Sequence, residues 1–116
     1  MKLILGMAML GLAACGGADA HEAPAAVVRA KTIELVDDHG LVRASLKVEP
    51  GGEVVFRLTD QTGTIRVKLG AGTDGSGLLL ANDATEPGFH ALAVSKGTSL
   101  RLRNKDGSER LITPAP

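Results

Sequence analysis

Aromatic side chains are almost absent from this sequence. Only Phe56 and Phe89 are aromatic, and the chain has neither tryptophan nor tyrosine. Sites that bind bases or sugars by stacking need exposed aromatic rings, so this composition argues against them. A domain of fewer than about 100 residues buries only about 60–65% of its unfolded surface. Because little material remains for the walls of a catalytic cleft, we predict that the protein is not an enzyme.

An excess of either charge is also lacking. The chain carries 13 Lys and Arg against 13 Asp and Glu. Without residues 1–14, which include Lys2, the balance is 12 basic to 13 acidic side chains. A net charge of about −1 creates no long-range field that attracts nucleic acid or an anionic bilayer. We therefore expect no nucleic-acid partner.

Long hydrophobic runs are missing except at the N-terminus. Met1-Lys2 precedes an apolar run from Leu3 to Leu12. Such a run spans about 15 Å as a helix, half of a bilayer core, which is typical of a signal peptide rather than a membrane-spanning anchor. The run ends in Leu12-Ala13-Ala14-Cys15, which resembles the lipobox of bacterial lipoproteins.

The resemblance to bacterial lipoproteins covers residues 1–15. It implies that residues 1–14 are removed as a signal peptide and that fatty acyl chains, such as palmitate, anchor Cys15 in a membrane. Cys15 is the only cysteine and so has no disulfide partner within the chain. Two or three acyl chains hold a protein on a membrane far better than one. Gly16 stands where Asp would favour the inner membrane, so the resemblance favours the outer membrane.

Two other interpretations of the N-terminus remain open. Ala18-Asp19-Ala20 fits ordinary signal peptidase, and cleavage before His21 would give a soluble periplasmic or secreted protein. The apolar run could instead form a short buried helix that ends in cysteine. Residues 15–29 begin with the cysteine that the resemblance implies is lipidated. They are mostly small and include Pro24, which predicts a flexible tether ahead of a domain at residues 30–116.

An internal repeat is the most informative feature of that domain. Four segments end in Asp or Asn at intervals of 23, 22 and 22 residues, and each alternates apolar residues at a period of two, as half-buried strands do. They are Ile33–Asp37, Phe56–Asp60, Leu78–Asn82 and Leu100–Asn104. Three are followed by Asp/Asn-x-x-Gly, which favours a type I turn with a G1 bulge. The third turn, Asn82–Gly88, is predicted to be two residues longer.

Each turn leads into a second alternating strand. These strands are predicted at Val42–Leu46, Ile65–Leu69, Phe89–Ala93 and around Arg110–Ile112. The links between hairpins are rich in Gly, Pro and Ser and too short for a crossover helix. The sequence therefore predicts an all-β antiparallel meander of about eight short strands in four hairpin repeats.

Three architectures fit this meander: a small barrel, a two-sheet sandwich and a short solenoid of stacked hairpins. A closed or packed arrangement is favoured, because a flat meander leaves two edges and one apolar face bare. The repeat also resembles one in uncharacterised bacterial proteins, in which Asp-x-x-Gly is followed by Arg-Ala-x-Leu. Asp37–Gly40 with Arg43–Leu46 fits best, and Asp60–Leu69 has Val67 in place of Ala. This resemblance spans about residues 31–113 and implies a fold but no function.

Side chains that hold metals or act as nucleophiles do not recur at useful spacings. His21 and His39 fall in the tether and a turn, and His90 falls in a strand at the repeat position that Arg43, Arg66 and Arg110 hold elsewhere. A metal site needs three or four convergent donors. The turns lack the spacing and distal Glu of calcium loops. The segment 70–77 contains Gly-x-Gly-x-x-Gly and a Gly-Ser-Gly, but no helix follows to bind phosphate or to position a nucleophile. We predict no catalytic residue, metal or cofactor.

Basic side chains form one suggestive pattern. Outward strand positions of the second and fourth hairpins hold Arg57, Arg66, Lys68, Arg101, Arg103 and Arg110. If those strands were adjacent, this basic face could bind phosphate or carboxylate groups. The other interpretation is a solvated face whose charges keep strand edges from pairing.

These observations lead to a prediction of function by elimination. We expect a non-enzymatic, membrane-anchored envelope lipoprotein that binds another protein or an envelope polymer through its sheet face or hairpin tips. One alternative is an architectural surface protein that assembles through its hairpin repeats. Another is a small hydrolase or metal carrier.

Overall fold

A computed structural model describes residues 22–83 and 86–116. The lipobox, Cys15 and His21 lie outside the described residues. Eight strands form one sheet, and each pairs antiparallel with the next in chain order. The strands are β1 (Thr32–Val36), β2 (Val42–Val48), β3 (Val54–Thr59), β4 (Ile65–Gly72), β5 (Gly75–Ala81), β6 (Pro87–Val94), β7 (Gly97–Arg103) and β8 (Glu109–Ile112). The predicted all-β meander of four hairpins is confirmed.

The sheet is a single open layer. β1 and β8 are its edges and do not pair with each other, so the sheet is not closed into a barrel. All eight strands belong to this one sheet, so the described residues do not form a sandwich either. The expectation that a closed or packed arrangement is favoured is therefore wrong. The two-residue links Thr73-Asp74 and Ser95-Lys96 place each following strand beside the last in the same sheet.

The Asp/Asn-x-x-Gly turns have the predicted geometry. Their glycines have positive φ angles of 81°, 86° and 85° at Gly40, Gly63 and Gly107. In the first turn, Oδ1 of Asp37 accepts hydrogen bonds from the backbone N–H groups of His39 (2.9 Å) and Leu41 (3.0 Å). A one-residue register shift follows each of the first three turns. The turn residues therefore set the reversal, whereas the register shift also occurs beside the third turn, which lacks such a glycine, and is a separate feature.

The third turn is not longer than the others, contrary to the prediction. The N–H of Asn82 donates to the carbonyl of Glu86 at 2.9 Å, as that of Asp60 does to the carbonyl of Thr64. The two turns therefore close over the same number of residues. In consequence β6 begins at Pro87, two residues before its predicted start.

The fourth hairpin lacks the register shift of the other three. Leu102 pairs with Arg110 and Arg101 pairs with Leu111, with no irregularity between these pairs and the turn. Side chains alternate between faces along a strand, so a difference of one residue moves every side chain of β8 to the opposite face. Arg110 therefore lies on the same face as Leu102, and Leu111 lies on the same face as Arg101.

The strand registers divide the side chains between two faces of different character. What we call the apolar face carries mostly aliphatic residues, the two phenylalanines and, of the charged residues in the described strands, only Arg110. What we call the polar face carries most of the charged side chains. Of the described residues only Val55, on the polar face, is fully buried. The described part contains no helix with the length and hydropathy needed to cross a bilayer.

Candidate binding surface

The predicted basic face is divided in the structure. The second hairpin (β3–β4) and the fourth (β7–β8) are separated by the third (β5–β6). One row of the polar face runs through Arg57, Lys68, Leu79, His90 and Arg101 in consecutive strands. At about 4.8 Å per strand, Lys68 and Arg101 are about 14 Å apart along the row. Arg57 and Lys68 are brought together as direct neighbours, but the six basic residues do not form one patch.

Arg66 forms hydrogen bonds with other residues of the sheet and its turns. Its Nε donates to Oδ2 of Asp60 at 2.6 Å, and its Nη1 donates to the carbonyl oxygen of Asn82. Arg43 makes the equivalent contact one hairpin earlier, where its Nε donates to the carbonyl of Thr59 at 2.8 Å. Each guanidinium thus links the second strand of its hairpin to the next hairpin, where it reaches the end of β3 (Thr59) or the residue after β5 (Asn82), sixteen residues away. This linkage is a structural role for Arg66.

His90 does not occupy the position predicted for it. The repeat alignment places His90 where Arg43 and Arg66 stand, on the premise of a longer third turn. Because the turns are equal in length, Gly88 takes that position, and it has no side chain to link the hairpins. His90 lies two residues further along β6, opposite Arg101 on the polar face.

Two of the remaining basic side chains, Arg57 and Arg101, form ion pairs with carboxylates. Nη1 of Arg57 lies 2.6 Å from Oε1 of Glu49, and this hydrogen bond lowers the pKa of Glu49. Nε of Arg101 lies 3.3 Å from Oε1 of Glu109. The guanidiniums of Arg57 and Arg101 are therefore each paired with a carboxylate of the same chain.

The other predicted basic residues point in two directions. Lys68 and Arg103 lie on the polar face and form no ion pair within 4 Å among the residues that the structure describes. Arg110 lies on the apolar face beside Leu102. Its predicted outward position is wrong, because β8 lacks the bulge that aligns the other hairpins. Anion binding by these residues remains a prediction.

The polar face also has a hollow of about 460 Å³ above the central glycines. Its floor includes Gly70 and Gly77, which pair across β4 and β5. A Cβ at Gly70 would lie 2.7 Å from Oε1 of Glu53, and one at Gly77 would lie 2.8 Å from Cδ2 of Leu92. The side chains of Glu53 and Leu92 thus pack over the glycines. The Gly-rich segment therefore serves strand packing within a hairpin and precedes no helix.

Candidate metal ligands are scattered. His39 lies in the first turn and His90 on the polar face of β6. Within residues 22–83 and 86–116, no group of three or more His, Cys, Asp or Glu side chains could hold a metal ion. The described residues offer no geometry from which to build a metal centre.

The apolar face is the most distinctive surface of the described residues. Ten of its large aliphatic side chains are between 37% and 65% exposed. They are Ile33, Leu35, Leu46, Val48, Val54, Leu58, Leu69, Leu80, Leu102 and Ile112. Contiguous exposed patches of this kind mark sites that bind other molecules. Sequence reasoning found the alternating pattern that creates this face, but expected another layer to cover it.

The relief of the apolar face differs between its two halves. The half formed by β1–β3 carries mainly large side chains. Over β5–β8 there is a hollow of about 510 Å³. The small residues Ser76, Ala91, Ala93 and Thr98 are among those that line it, together with larger ones that include Leu78, Phe89 and Leu100. The face is therefore raised at one side and recessed at the other.

No protein-family description matches the chain, and no curated protein matches it significantly. The geometry of the two faces is therefore the basis for assigning a function.

Proposed function

We propose that this chain is a non-enzymatic envelope lipoprotein, anchored through Cys15, whose apolar face binds a partner. The proposal rests on one observation: ten large aliphatic side chains, each 37–65% exposed, lie on one face of a single-layer sheet. Small soluble domains normally cover such a face with a second layer. In residues 22–83 and 86–116 no second layer is present.

The dimensions of the face suit a specific interface. Eight strands spaced at about 4.8 Å and about six residues long measure roughly 34 by 20 Å, a footprint of about 700 Å². A standard protein interface buries about 800 Å² on each partner. The face is therefore large enough for a stable complex.

Binding through this face would also stabilise the domain. With one fully buried side chain, the sheet gains little from its own core. Covering about 700 Å² of mostly apolar surface is worth roughly 15 kcal/mol before the costs of association. A partner that binds only the folded sheet raises its stability by mass action. Anchoring through Cys15 would keep the domain concentrated where such a partner resides.

Site-specific photo-cross-linking in intact cells tests this proposal. A photoreactive residue at Leu46 lies on the apolar face, whereas one at the adjacent Lys47 lies on the polar face. Expression of the full chain should give covalent adducts from position 46 and only background from position 47. Equal yields at the two positions, or none at position 46, would contradict the proposal.

Architectural assembly through the sheet edges is the second candidate. All residues of β1 and β8 are exposed, and edge strands offer unpaired backbone groups to another chain. Arg110 opposes such pairing, because a charge on the apolar face of an edge strand must be desolvated when the sheet is extended. Long filaments in electron micrographs would favour this candidate, whereas particles of one fixed size would argue for the apolar face.

A further inference from the structure

We propose that the partner of the apolar face is a second copy of this chain, packed face to face so that two single-layer sheets form one sandwich. This inference rests on the proposed function, since it names the occupant of the same surface. The footprint of about 700 Å² per copy would bury about 1,400 Å² in total, within the range of stable interfaces. Two sheets of this kind pack about 10 Å apart with their inner side chains interdigitated.

The relief of the face makes it complementary to itself. In a two-fold symmetric dimer each contact occurs twice, so an axis that places the raised half of one copy over the recessed half of the other fills both hollows. A two-fold axis parallel to the strands, between β4 and β5, reverses the strand order of the second copy. It places β1 over β8, β2 over β7, β3 over β6 and β4 over β5. In this arrangement Phe56 lies over Ala91 of the second copy, and Val54 lies over Ala93. The large side chains of β3 thus fill the hollow above β6.

The same axis matches a further pair. Ala44, the small residue among the large ones of β2, lies over Leu102 of the second copy. The alternative axis, perpendicular to the strands, would stack each strand on its own copy. Phe56 would then meet Phe56, and both hollows of about 510 Å³ would remain unfilled. Unfilled apolar space is costly, so packing favours the strand-parallel axis.

The charge distribution permits this arrangement. In the described strands Arg110 is the only charged side chain on the apolar face, and it lies on edge strand β8. The strand-parallel axis places it over Leu35 at the rim of the sandwich, where its guanidinium can reach water. No charge is therefore buried in the centre of the interface, where an unpaired charge would strongly oppose association.

Cysteine cross-linking of the full chain in isolated cell envelopes tests the inference. Leu69 on β4 lies beside the proposed axis, so a Leu69→Cys thiol would lie diagonally opposite its counterpart in the second copy, about one strand spacing to the side. Lys68→Cys is the matched control, because Lys68 is the neighbouring residue on the opposite face. Both variants retain Cys15, so the difference between them reports on the new thiol alone. A short bismaleimide should give covalent dimer with Leu69→Cys and only the parental background with Lys68→Cys.

The rate of labelling by a small water-soluble maleimide separates failure of this inference from failure of the proposed function. A Leu69→Cys thiol that is protected from labelling but gives no dimer would overturn the second copy and indicate another occupant, such as lipid or a different protein. A thiol that is labelled as fast as that of Lys68→Cys would show an uncovered face and overturn both proposals. Protection together with the covalent dimer supports the inference.

Discussion

The guanidinium of Arg66 donates through Nε to Oδ2 of Asp60 over 2.6 Å. The same side chain donates through Nη1 to the carbonyl oxygen of Asn82, in the next hairpin. One arginine therefore supports the turn of its own hairpin and the attachment of the following one. In a sheet with one fully buried side chain, such polar links between hairpins carry an unusually large share of the specificity of the fold.

Replacement of Arg66 by alanine should destabilise the protein. The hydrogen bond to the Asn82 carbonyl alone is worth about 1.5 kcal/mol when its donor is charged, and the contact with Asp60 is lost as well. Arg103→Ala is the control, since Arg103 is exposed and makes no ion pair among the described residues. It should change stability by less than about 0.5 kcal/mol. Urea titrations followed by circular dichroism measure both effects, and equal midpoints would refute the role of Arg66.

Stability should also depend on the ionisation of Asp60. The Thr62 hydroxyl, the Arg66 guanidinium and the backbone N–H groups of Thr62 and Thr64 all donate to its carboxylate, and together they hold its pKa well below the usual range. A free aspartate in the unfolded chain has a pKa of about 3.9. The ionised Asp60 carboxylate therefore makes its full contribution to the free energy of unfolding above about pH 5. This contribution is lost as the pH falls below 4 toward the pKa of Asp60 in the folded protein.

The pH dependence can be assigned to Asp60 by substitution. Asp60→Asn cannot ionise, so its free energy of unfolding should fall less steeply between about pH 5 and pH 2 than that of the parent chain. Some slope will remain, because hydrogen bonds from the Leu41 N–H and the Ser108 hydroxyl lower the pKa of Asp37 and Asp106 respectively. Urea midpoints at a series of pH values provide the measurement. Parallel curves for the two proteins would be the contrary result.

Gly75 should be among the least replaceable residues. Its φ angle is 143°, and a Cβ at this position would collide with the carbonyl oxygen of Ala93. Both the backbone conformation and the close approach of β6 require glycine, so Gly75→Ala should cost about 2 kcal/mol or more. Gly51→Ala is the control, because it has space for a Cβ and no positive φ. A comparable thermal midpoint for the two variants would contradict the predicted clash.

The sequence predicts the strands and turns of this fold better than the register in which the strands pair. Asp37 with Gly40, and Asp60 with Gly63, encode a reversal through side-chain acceptors and positive φ, so these turns are recognisable from residue type alone. The third turn has no glycine at its fourth position. Its length can therefore be predicted only by aligning Gly88 with the glycines of the other turns, and that alignment makes the turn too long. The fourth turn has the same Asp/Asn-x-x-Gly pattern as the first two, but its hairpin lacks their register shift. Residue type alone therefore does not show which face Arg110 occupies.

The apolar face shows a different limit of sequence reasoning. A period of two indicates that one side of each strand avoids water, but it does not say whether the covering layer comes from the same chain. Here the links between strands are too short to build that layer. The distribution of basic residues shows a related limit: the sequence indicates charge positions along each strand, but only the order of hairpins across the sheet shows that β4 and β7 are separated.

The N-terminus of the mature protein should be an acylated Cys15. The lipobox at residues 12–15 predicts cleavage before this residue, and the acyl chains should add their mass to the first peptide and retain the protein in the membrane fraction. Cys15→Ser removes the acyl acceptor and should give an uncleaved precursor. Mass spectrometry of the N-terminal peptide distinguishes these states. An unmodified N-terminus at His21 would instead indicate release by ordinary signal peptidase.

A charge at the floor of the hollow should disrupt the face-to-face dimer. In the proposed sandwich Ala91 lies beneath Phe56 of the second copy, so Ala91→Arg buries an unpaired guanidinium against an aromatic ring. Such burial costs about 3 kcal/mol or more, which corresponds to a loss of affinity of at least about a hundredfold. His90→Arg is the matched control, because His90 precedes Ala91 on β6 and lies on the polar face. In the Leu69→Cys chain, Ala91→Arg should abolish the covalent dimer while His90→Arg preserves it. If both substitutions leave the dimer intact, the two copies do not meet through this face, because no packing of the hollow can accommodate a buried charge at no cost.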